Sequence, residues 1–114
     1  MNRANQYEVW LADLNPRQGT EPGKRRPVLI VQTDLLKQHS STIICPLTTN
    51  VIEGVSILRV NLKSGEAGLT RDSAIMLDQI RAIDNRRLVK KLGQLPVVYV
   101  DAVVEQLKIC LDMG

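Results

Sequence analysis

The sequence contains no phenylalanine, and aromatic residues of all kinds make up only 3% of its 114 residues. Because 44% of the chain is nevertheless hydrophobic, we expect a core built from Val, Leu and Ile. The shortage of aromatic rings argues against a single-strand binder that stacks bases on aromatic platforms.

Histidine is almost as scarce, since His39 is the only one. This count excludes a ribonuclease mechanism that needs a pair of histidines, and no HxH, HExxH or CxxC spacing points to a bound metal. His39 lies in a polar stretch, which predicts an exposed side chain without a catalytic role. Asp72, Asp78 and Asp84 would bind magnesium only if the fold gathered them, and we expect them to be solvated. The sequence therefore predicts neither a metal nor a cofactor.

Long apolar runs are also missing, because no stretch approaches the roughly 18 residues that a membrane span needs. Residues 1–6 are short and polar, unlike a secretory signal. Cys45 and Cys110 lie far apart in apolar runs, which predicts buried thiols in a reducing compartment. We expect a soluble cytoplasmic protein with no membrane contact, forming a single domain over residues 1–114. The net charge of +3 permits an anionic partner without requiring one.

Short apolar or alternating runs separated by turn residues predict a mainly β protein with a small barrel or strongly bent sheet. Pro27 is expected to begin the strand Val28–Val31, which should be buried on both faces. Pro46 predicts that its strand is an edge strand or contains a bulge. The expected strands cover residues 7–14, 28–31, 42–48, 57–62, 74–77 and 88–95.

The end of the chain has helical periodicity. Pro96 suits a first helical turn, and an apolar stripe follows it at steps of four, three and four residues. The stripe consists of Val100, Val104, Leu107 and Leu111. We expect one C-terminal α-helix that packs this stripe against the sheet.

A charged loop connects the first two predicted strands. Residues 19–27 contain two glycines, two prolines, three consecutive cations and one carboxylate. Glycine lets a backbone approach a phosphate closely, and arginine offers planar paired donors to it. A second basic group, at residues 81–91, would extend this stretch into a track for a polyanion. The alternative is that each basic group is simply solvated.

Five segments in order resemble the MazF/PemK family of toxin endoribonucleases, over nearly the whole chain. They are Val9–Pro16, Gly19–Glu21, Arg26–Val31, Cys45–Asn50 and Leu77–Asp84. The resemblance implies an SH3-like antiparallel β-barrel (CcdB/MazF-like) with a C-terminal α-helix, usually a homodimer. It also implies metal-independent cleavage of single-stranded RNA, often mRNA, at short sequence motifs.

The same resemblance assigns roles to individual residues. The catalytic arginine of the family precedes the proline of its RP motif and corresponds to Arg26, while the catalytic threonine corresponds to Thr48 and the loop glutamate to Glu21. The extra cation in this loop leaves open whether Arg25 shares the role of Arg26. Expected RNA-binding residues are Gly19, Thr20, Lys24, Arg25, Thr49, Asn50, Gln79 and Arg81.

The expected chemistry is attack of the substrate's own 2′-OH on the neighbouring phosphorus, which gives a 2′,3′-cyclic phosphate and a 5′-OH. Arg26 would stabilise charge, because a guanidinium with a pKa above about 12 is a poor base. Thr48 would donate its hydroxyl to a non-bridging oxygen. Glu21 would be either the base or a reader of a base edge.

The resemblance also implies partners. A cognate antitoxin would lay a disordered C-terminal segment over the RNA groove, and DNA would be contacted only through the toxin–antitoxin complex. Two alternatives remain open. One is a CcdB-like toxin that cuts no RNA and binds a protein target such as DNA gyrase, and the other is a catalytically silent RNA-binding barrel.

Overall fold

A computed structural model describes residues 4–14, 24–52 and 58–113. It contains seven antiparallel strands followed by one α-helix, in the predicted class. The strands are β1 (Glu8–Asp13), β2 (Arg25–Ile30), β3 (Ser41–Thr48), β4 (Arg59–Leu62), β5 (Ser73–Met76), β6 (Arg81–Asp84) and β7 (Leu88–Gln94), and the helix is α1 (Val100–Cys110). Short 3-10 turns connect several of them, at Asp34–Leu36, Glu66–Gly68, Leu77–Gln79, Asn85–Arg87 and Val97–Tyr99.

The strands form one sheet in the order β4-β5-β3-β2-β1-β7, and β6 pairs with β3 beside β5. No ladder joins β6 to β7 within the described residues, so the sheet is not closed into a complete barrel. The loop at residues 15–23 lies outside the described residues, together with the predicted site residues Gly19, Thr20 and Glu21.

Both faces of the central strands are buried. Leu29 packs into one core with residues of β4, β5 and α1, whereas Val28 and Ile30 pack into a second core with Trp10 and Ile83. Successive residues of a strand point to opposite faces, so a continuous apolar run suits this position. The prediction that Val28–Val31 is buried on both faces is confirmed for its first three residues.

Two predictions about proline were wrong. Strand β2 begins at Arg25, so Pro27 is its third residue and lies opposite Leu11 of β1. Strand β3 is central, with β2 on one side and β6 and β5 on the other. Pro46 lies between the segments that pair with β6 and β5, where the ladder on that side is interrupted. A missing N–H is tolerated at such a position.

Helix α1 begins four residues after Pro96 and packs on the first core, as predicted. Its fully buried residue is Val103, which the sequence pattern missed, while Val100 and Leu107 lie against the same core. The predicted stripe residue Leu111 is 48% exposed because it lies beyond the last helical turn. Cys45 is buried as expected, but Cys110 is only partly buried.

Candidate active site

Arg26 lies near the start of β2, opposite Ala12 of β1. Its guanidinium is half-buried, and Nη1 donates a hydrogen bond of 3.1 Å to the main-chain carbonyl of Leu47 in β3. This contact holds the head group against the end of the neighbouring strand. The planar guanidinium presents its N–H donors in pairs, a geometry that suits the oxygens of a phosphate.

Thr48 is the last residue of β3 and comes close to Arg26 through strand pairing. Val28 lies opposite Pro46, and the same antiparallel register continued by two residues places Arg26 opposite Thr48. The Thr48 hydroxyl accepts a hydrogen bond of 3.1 Å from the main-chain N–H of Asn50. Because a hydroxyl both accepts and donates, this acceptor role leaves its proton available to a substrate oxygen.

A shallow pocket of about 240 Å³ joins these two residues. Two arginines and two threonines line it, together with residues near the ends of β2, β3 and β5. Its lining residues are Arg25, Arg26, Pro27, Leu47, Thr48, Thr49 and Ser73. The structure thus brings together four of the predicted site residues, from two segments that are about 20 residues apart in the sequence.

Ser73 was missed by sequence reasoning. It begins β5, is 2% exposed and donates its Oγ proton to the carbonyl of Arg71 at 3.0 Å. Nothing in the local sequence distinguishes it from an ordinary turn serine. Its place in the pocket depends on the pairing of β5 with the end of β3, where Ala74 lies opposite Thr48.

Lys24 and Arg25 mark the boundary of the loop. Both are exposed, and Arg25 lies opposite Asp13 of β1. Lys24 has a left-handed backbone with φ of 64°, and its carbonyl accepts a hydrogen bond of 2.9 Å from the N–H of Leu14. Such a conformation is uncommon for a residue with a side chain. Arg25 lines the Arg26 pocket, and Lys24 precedes it by one residue.

The remaining predicted RNA-binding residues fall into two groups. Asn50 is exposed two residues beyond Thr48, and it is not among the residues that line the Arg26 pocket. Gln79 ends a 3-10 turn and is half-buried, while Arg81 begins β6 opposite Ile44. Since Ile44 is four residues back along β3 from Thr48, Arg81 lies about 13 Å away along the strand. Neither Gln79 nor Arg81 is among the residues that line the Arg26 pocket.

The second basic group is largely compensated by nearby acceptors. Arg86 donates two side-chain hydrogen bonds to the carboxylate of Asp84, at 3.0 and 2.9 Å, and its main-chain N–H donates a third. These bonds lower the pKa of Asp84 to about 2. Arg87 donates to the carbonyl of Asp13 at 3.1 Å, and Lys91 pairs with Glu8 at 3.1 Å. This arrangement favours the solvated interpretation of the group over a continuous phosphate track.

Metal-ligating side chains are dispersed in the described part of the chain. No three His, Cys, Asp or Glu residues among residues 4–14, 24–52 and 58–113 lie close enough to hold a metal ion. Within the same residues, no helix is long and apolar enough to cross a membrane.

The family model for PemK-like, MazF-like toxins of type II toxin–antitoxin systems matches residues 5–111. Endoribonuclease EndoA of Bacillus subtilis is 38% identical over 107 residues, covering 93% of this chain and 92% of that protein. Endoribonuclease MazF of Staphylococcus saprophyticus is 42% identical over 89 residues, covering 77% of this chain and 74% of that protein.

Solved structures have the same fold. The crystal structure of MazF from Deinococcus radiodurans aligns with a TM-score of 0.81 at 23% identity, covering 96% of this chain and 97% of that one. A structure of the MazE-MazF complex from the same organism aligns with a TM-score of 0.76 at 23% identity, and each chain is covered to 97%.

Proposed function

Because the chain belongs to the PemK-like, MazF-like toxin family of type II toxin–antitoxin systems, we propose that it cleaves single-stranded RNA, with mRNA as its cellular substrate. The observation that carries this proposal is the meeting of the Arg26 guanidinium and the Thr48 hydroxyl in one open pocket. Both groups can donate hydrogen bonds to a phosphate. The pocket is open, so it can admit a phosphate group of an RNA strand. Curated relatives of this family are named as endoribonucleases.

The chemistry that fits this donor set is transesterification within the substrate. The 2′-oxygen forms a bond to phosphorus while the bond to the 5′-oxygen breaks, which leaves a 2′,3′-cyclic phosphate and a 5′-OH. The proton of the 2′-OH goes to a base, and the departing 5′-oxygen takes up a proton. The RNA itself supplies the nucleophile, so the reaction requires no metal-activated water.

The protein's role is to stabilise the negative charge that builds up on the non-bridging oxygens. Arg26 is held by the carbonyl of Leu47, and Thr48 is oriented by the N–H of Asn50. Donors fixed in advance stabilise a transition state without reorganising during the reaction. Glu21 is our candidate base, and it lies outside the described residues. Lys24 and Arg25 would contact flanking phosphates.

Family membership also supports a partner. We propose that a cognate antitoxin covers the Arg26 pocket with an extended segment, that the toxin is a cytoplasmic homodimer, and that it reaches DNA only within the toxin–antitoxin complex. The MazE-MazF structure from Deinococcus radiodurans is a precedent for such a complex on the same fold.

The test is incubation of the purified chain with a mixed-sequence single-stranded RNA in excess EDTA. We expect fragments with 5′-OH ends and cyclic phosphates, and loss of cleavage in Arg26→Ala. Absence of cleavage by the wild type would refute the proposed activity. Cleavage that stops in EDTA and returns with magnesium would refute the metal-independent chemistry alone. DNA gyrase assayed in parallel tests the CcdB-like alternative.

A further inference from the structure

The end of β1 is held from two sides. On one side the N–H of Leu14 donates to the carbonyl of Lys24 at 2.9 Å, which makes these residues a hydrogen-bonded pair that continues the β1–β2 ladder. Hydrogen-bonded and non-hydrogen-bonded pairs alternate in an antiparallel ladder, so the preceding pair, Asp13 with Arg25, is not hydrogen-bonded. The carbonyl of Asp13 therefore points away from β2, toward β7.

The pairing of β7 with β1 stops before it reaches this carbonyl. The last pair between the two strands is Ala12 with Leu88, because Arg87 belongs to a 3-10 turn and not to the strand. The side chain of Arg87 takes the place of the missing strand, since its Nη1 donates a hydrogen bond of 3.1 Å to the carbonyl of Asp13. A side chain that is 74 residues away in the sequence thus extends the ladder at the end of β1.

Both arginines of the Arg26 pocket pair with this end of β1. Arg26 lies opposite Ala12, and Arg25 lies opposite Asp13. Both also line the pocket itself. Because the bond from Arg87 holds the last residue of β1, it fixes the strand against which the two pocket arginines are placed.

The surroundings of Arg87 suit this internal role better than contact with RNA. The residue is half-buried, whereas its neighbour Arg86 is exposed. An open pocket of about 450 Å³ beside it is lined by Asp13 and Asp84 as well as by the two arginines. Carboxylates repel the phosphates of an RNA strand. A phosphate is therefore bound less well here than in the Arg26 pocket, among whose described lining residues there is no carboxylate.

We propose that Arg87 is a positioning residue for RNA cleavage, which keeps Arg26 in place by holding the carbonyl of Asp13 at the end of β1. The inference rests on the proposed RNA cleavage and adds to it a residue from outside the Arg26 pocket. A misplacement of about 1 Å can cost about 100-fold in rate. Arg26 keeps its own bond to the carbonyl of Leu47 when Arg87 is removed, so we expect the smaller loss of about tenfold.

Two substitutions separate the hydrogen bond from the packing of the side chain. Arg87→Met keeps an apolar stem without a donor, whereas Arg87→Lys keeps both a donor and the charge. Arg86→Met is the matched control. It removes the same charge from the next residue, whose guanidinium donates to the carboxylate of Asp84.

Single-turnover cleavage at saturating RNA compares these proteins at a temperature at which urea denaturation shows that all of them are folded. We expect the rate constant to fall about tenfold in Arg87→Met, to stay within about threefold of the wild type in Arg87→Lys, and to be unchanged in Arg86→Met. RNA affinity should change by the same factor in the two methionine variants, because each loses one positive charge.

Amide hydrogen exchange followed by NMR is the second measurement, and it separates a local effect from a global one. The N–H of Leu14 should exchange about tenfold faster in Arg87→Met than in Arg86→Met. The N–H of Leu107, inside α1, should exchange at the same rate in both. Equal acceleration at Leu14 and Leu107 would mean that Arg87 stabilises the whole fold, and it would overturn the positioning role.

The cleavage assay separates this inference from the proposed function. A wild-type rate constant in Arg87→Met, or an equal loss in Arg86→Met, overturns the role of Arg87 and leaves the proposed function intact. A wild type that cuts no RNA overturns both. Arg87→Gln replaces Arg87→Met if the latter does not fold, because its shorter side chain extends less far toward the carbonyl of Asp13, and the same outcomes then decide.

Discussion

The side chain of Arg26 crosses from β2 to β3, where its Nη1 donates a hydrogen bond of 3.1 Å to the main-chain carbonyl of Leu47. The residue after Leu47 is Thr48, so the bond that orients the guanidinium also places it beside the hydroxyl. A guanidinium presents its donors in a rigid planar fork, which the ammonium group of lysine cannot reproduce.

Replacement of Arg26 by lysine should therefore reduce turnover even though the charge is kept. An ammonium group cannot hold Leu47 and span two phosphate oxygens in the same geometry, so we expect kcat to fall about 100-fold. RNA affinity should fall by only a few-fold. Single-turnover cleavage and equilibrium binding of a non-cleavable RNA measure the two quantities. A similar loss in both would mean that Arg26 binds the substrate without favouring its transition state.

Thr48→Val tests the hydroxyl, because valine has nearly the same shape without a donor. It removes the group that is oriented by the N–H of Asn50, and kcat should fall about 100-fold at unchanged thermal stability. Thr70→Val is the control, since Thr70 is exposed and is not among the residues that line the Arg26 pocket. Turnover in Thr48→Val that matches the Thr70→Val control would remove Thr48 from the mechanism.

Lys24 and Arg25 should act mainly on binding. Both side chains are exposed, and Arg25 lines the Arg26 pocket next to Arg26, so their charges suit phosphates that flank the cleavage point. In Lys24→Ala/Arg25→Ala, the slope of log affinity against log salt should become shallower by about 1.4. Turnover at saturating RNA should remain within a few-fold of the wild type. Anisotropy titrations at several salt concentrations measure the slope, and a slope that does not change contradicts phosphate contact.

Secondary structure formed by residues close in the sequence was easier to predict than contacts between strands that are distant in the sequence. Six of the seven strands, the terminal helix and the two-sided burial of β2 follow from local periodicity, because successive side chains alternate across a sheet. Strand β6 was not predicted, since only one of its four side chains is buried and its alternation is weak. The place of Ser73 in the Arg26 pocket could not be foreseen, since it depends on β5 lying next to the end of β3. The prediction that the strand with Pro46 is an edge strand or contains a bulge failed for a related reason. The sequence does not reveal that β6 and β5 share one side of β3 and leave an interruption between them.

The sequence is equally limited in showing which basic residues are positioned to bind a phosphate. Arg86 and Arg87 belong to a basic stretch of the kind that binds phosphates. In the fold, however, Arg86 donates to the carboxylate of Asp84 and Arg87 donates to the carbonyl of Asp13. Arg26 and Arg25 are adjacent in the sequence, but they differ in environment because one is half-buried against Leu47 and the other is exposed. Pairing and burial, which are tertiary properties, decide which arginine has donors held in place.

Gly93 packs against the 3-10 turn Glu66–Gly68, and this contact should be sensitive to a single methyl group. A Cβ on Gly93 would lie 2.6 Å from the carbonyl oxygen of Ala67, which is main chain and cannot rotate away. We expect Gly93→Ala to lower the free energy of unfolding by about 2 kcal/mol or more. Gly65→Ala is the control, because it has a positive φ but open space around it, and should cost about 1 kcal/mol. Urea denaturation ranks the two, and equal losses would contradict the packing argument.

Glu8 connects the N-terminal segment, β1 and β7 through a buried carboxylate. Burial raises its pKa, but hydrogen bonds from the main chain of Asn5, from Trp10 Nε1 and from Lys91 Nζ outweigh this, and the pKa falls to about 2 from an ordinary value of 4.5. A carboxyl whose pKa is lower in the folded state stabilises the fold above the unfolded pKa, and this contribution disappears as the pH falls toward the folded value. A shift of this size corresponds to about 3 kcal/mol at pH 7.

Glu8→Gln should therefore lose about 3 kcal/mol of unfolding free energy at pH 7, and the difference from the wild type should shrink as the pH falls from about 5 to 2. Glu105→Gln is the matched control, because Glu105 is exposed on α1 and has only a 4.0 Å contact with Lys108. It should change stability by less than about 0.5 kcal/mol. Urea denaturation of the three proteins across this pH range provides the measurement. A Glu8→Gln deficit that stays constant down to pH 2 would mean that the glutamine disturbs packing, and that the carboxylate charge is not what stabilises this junction.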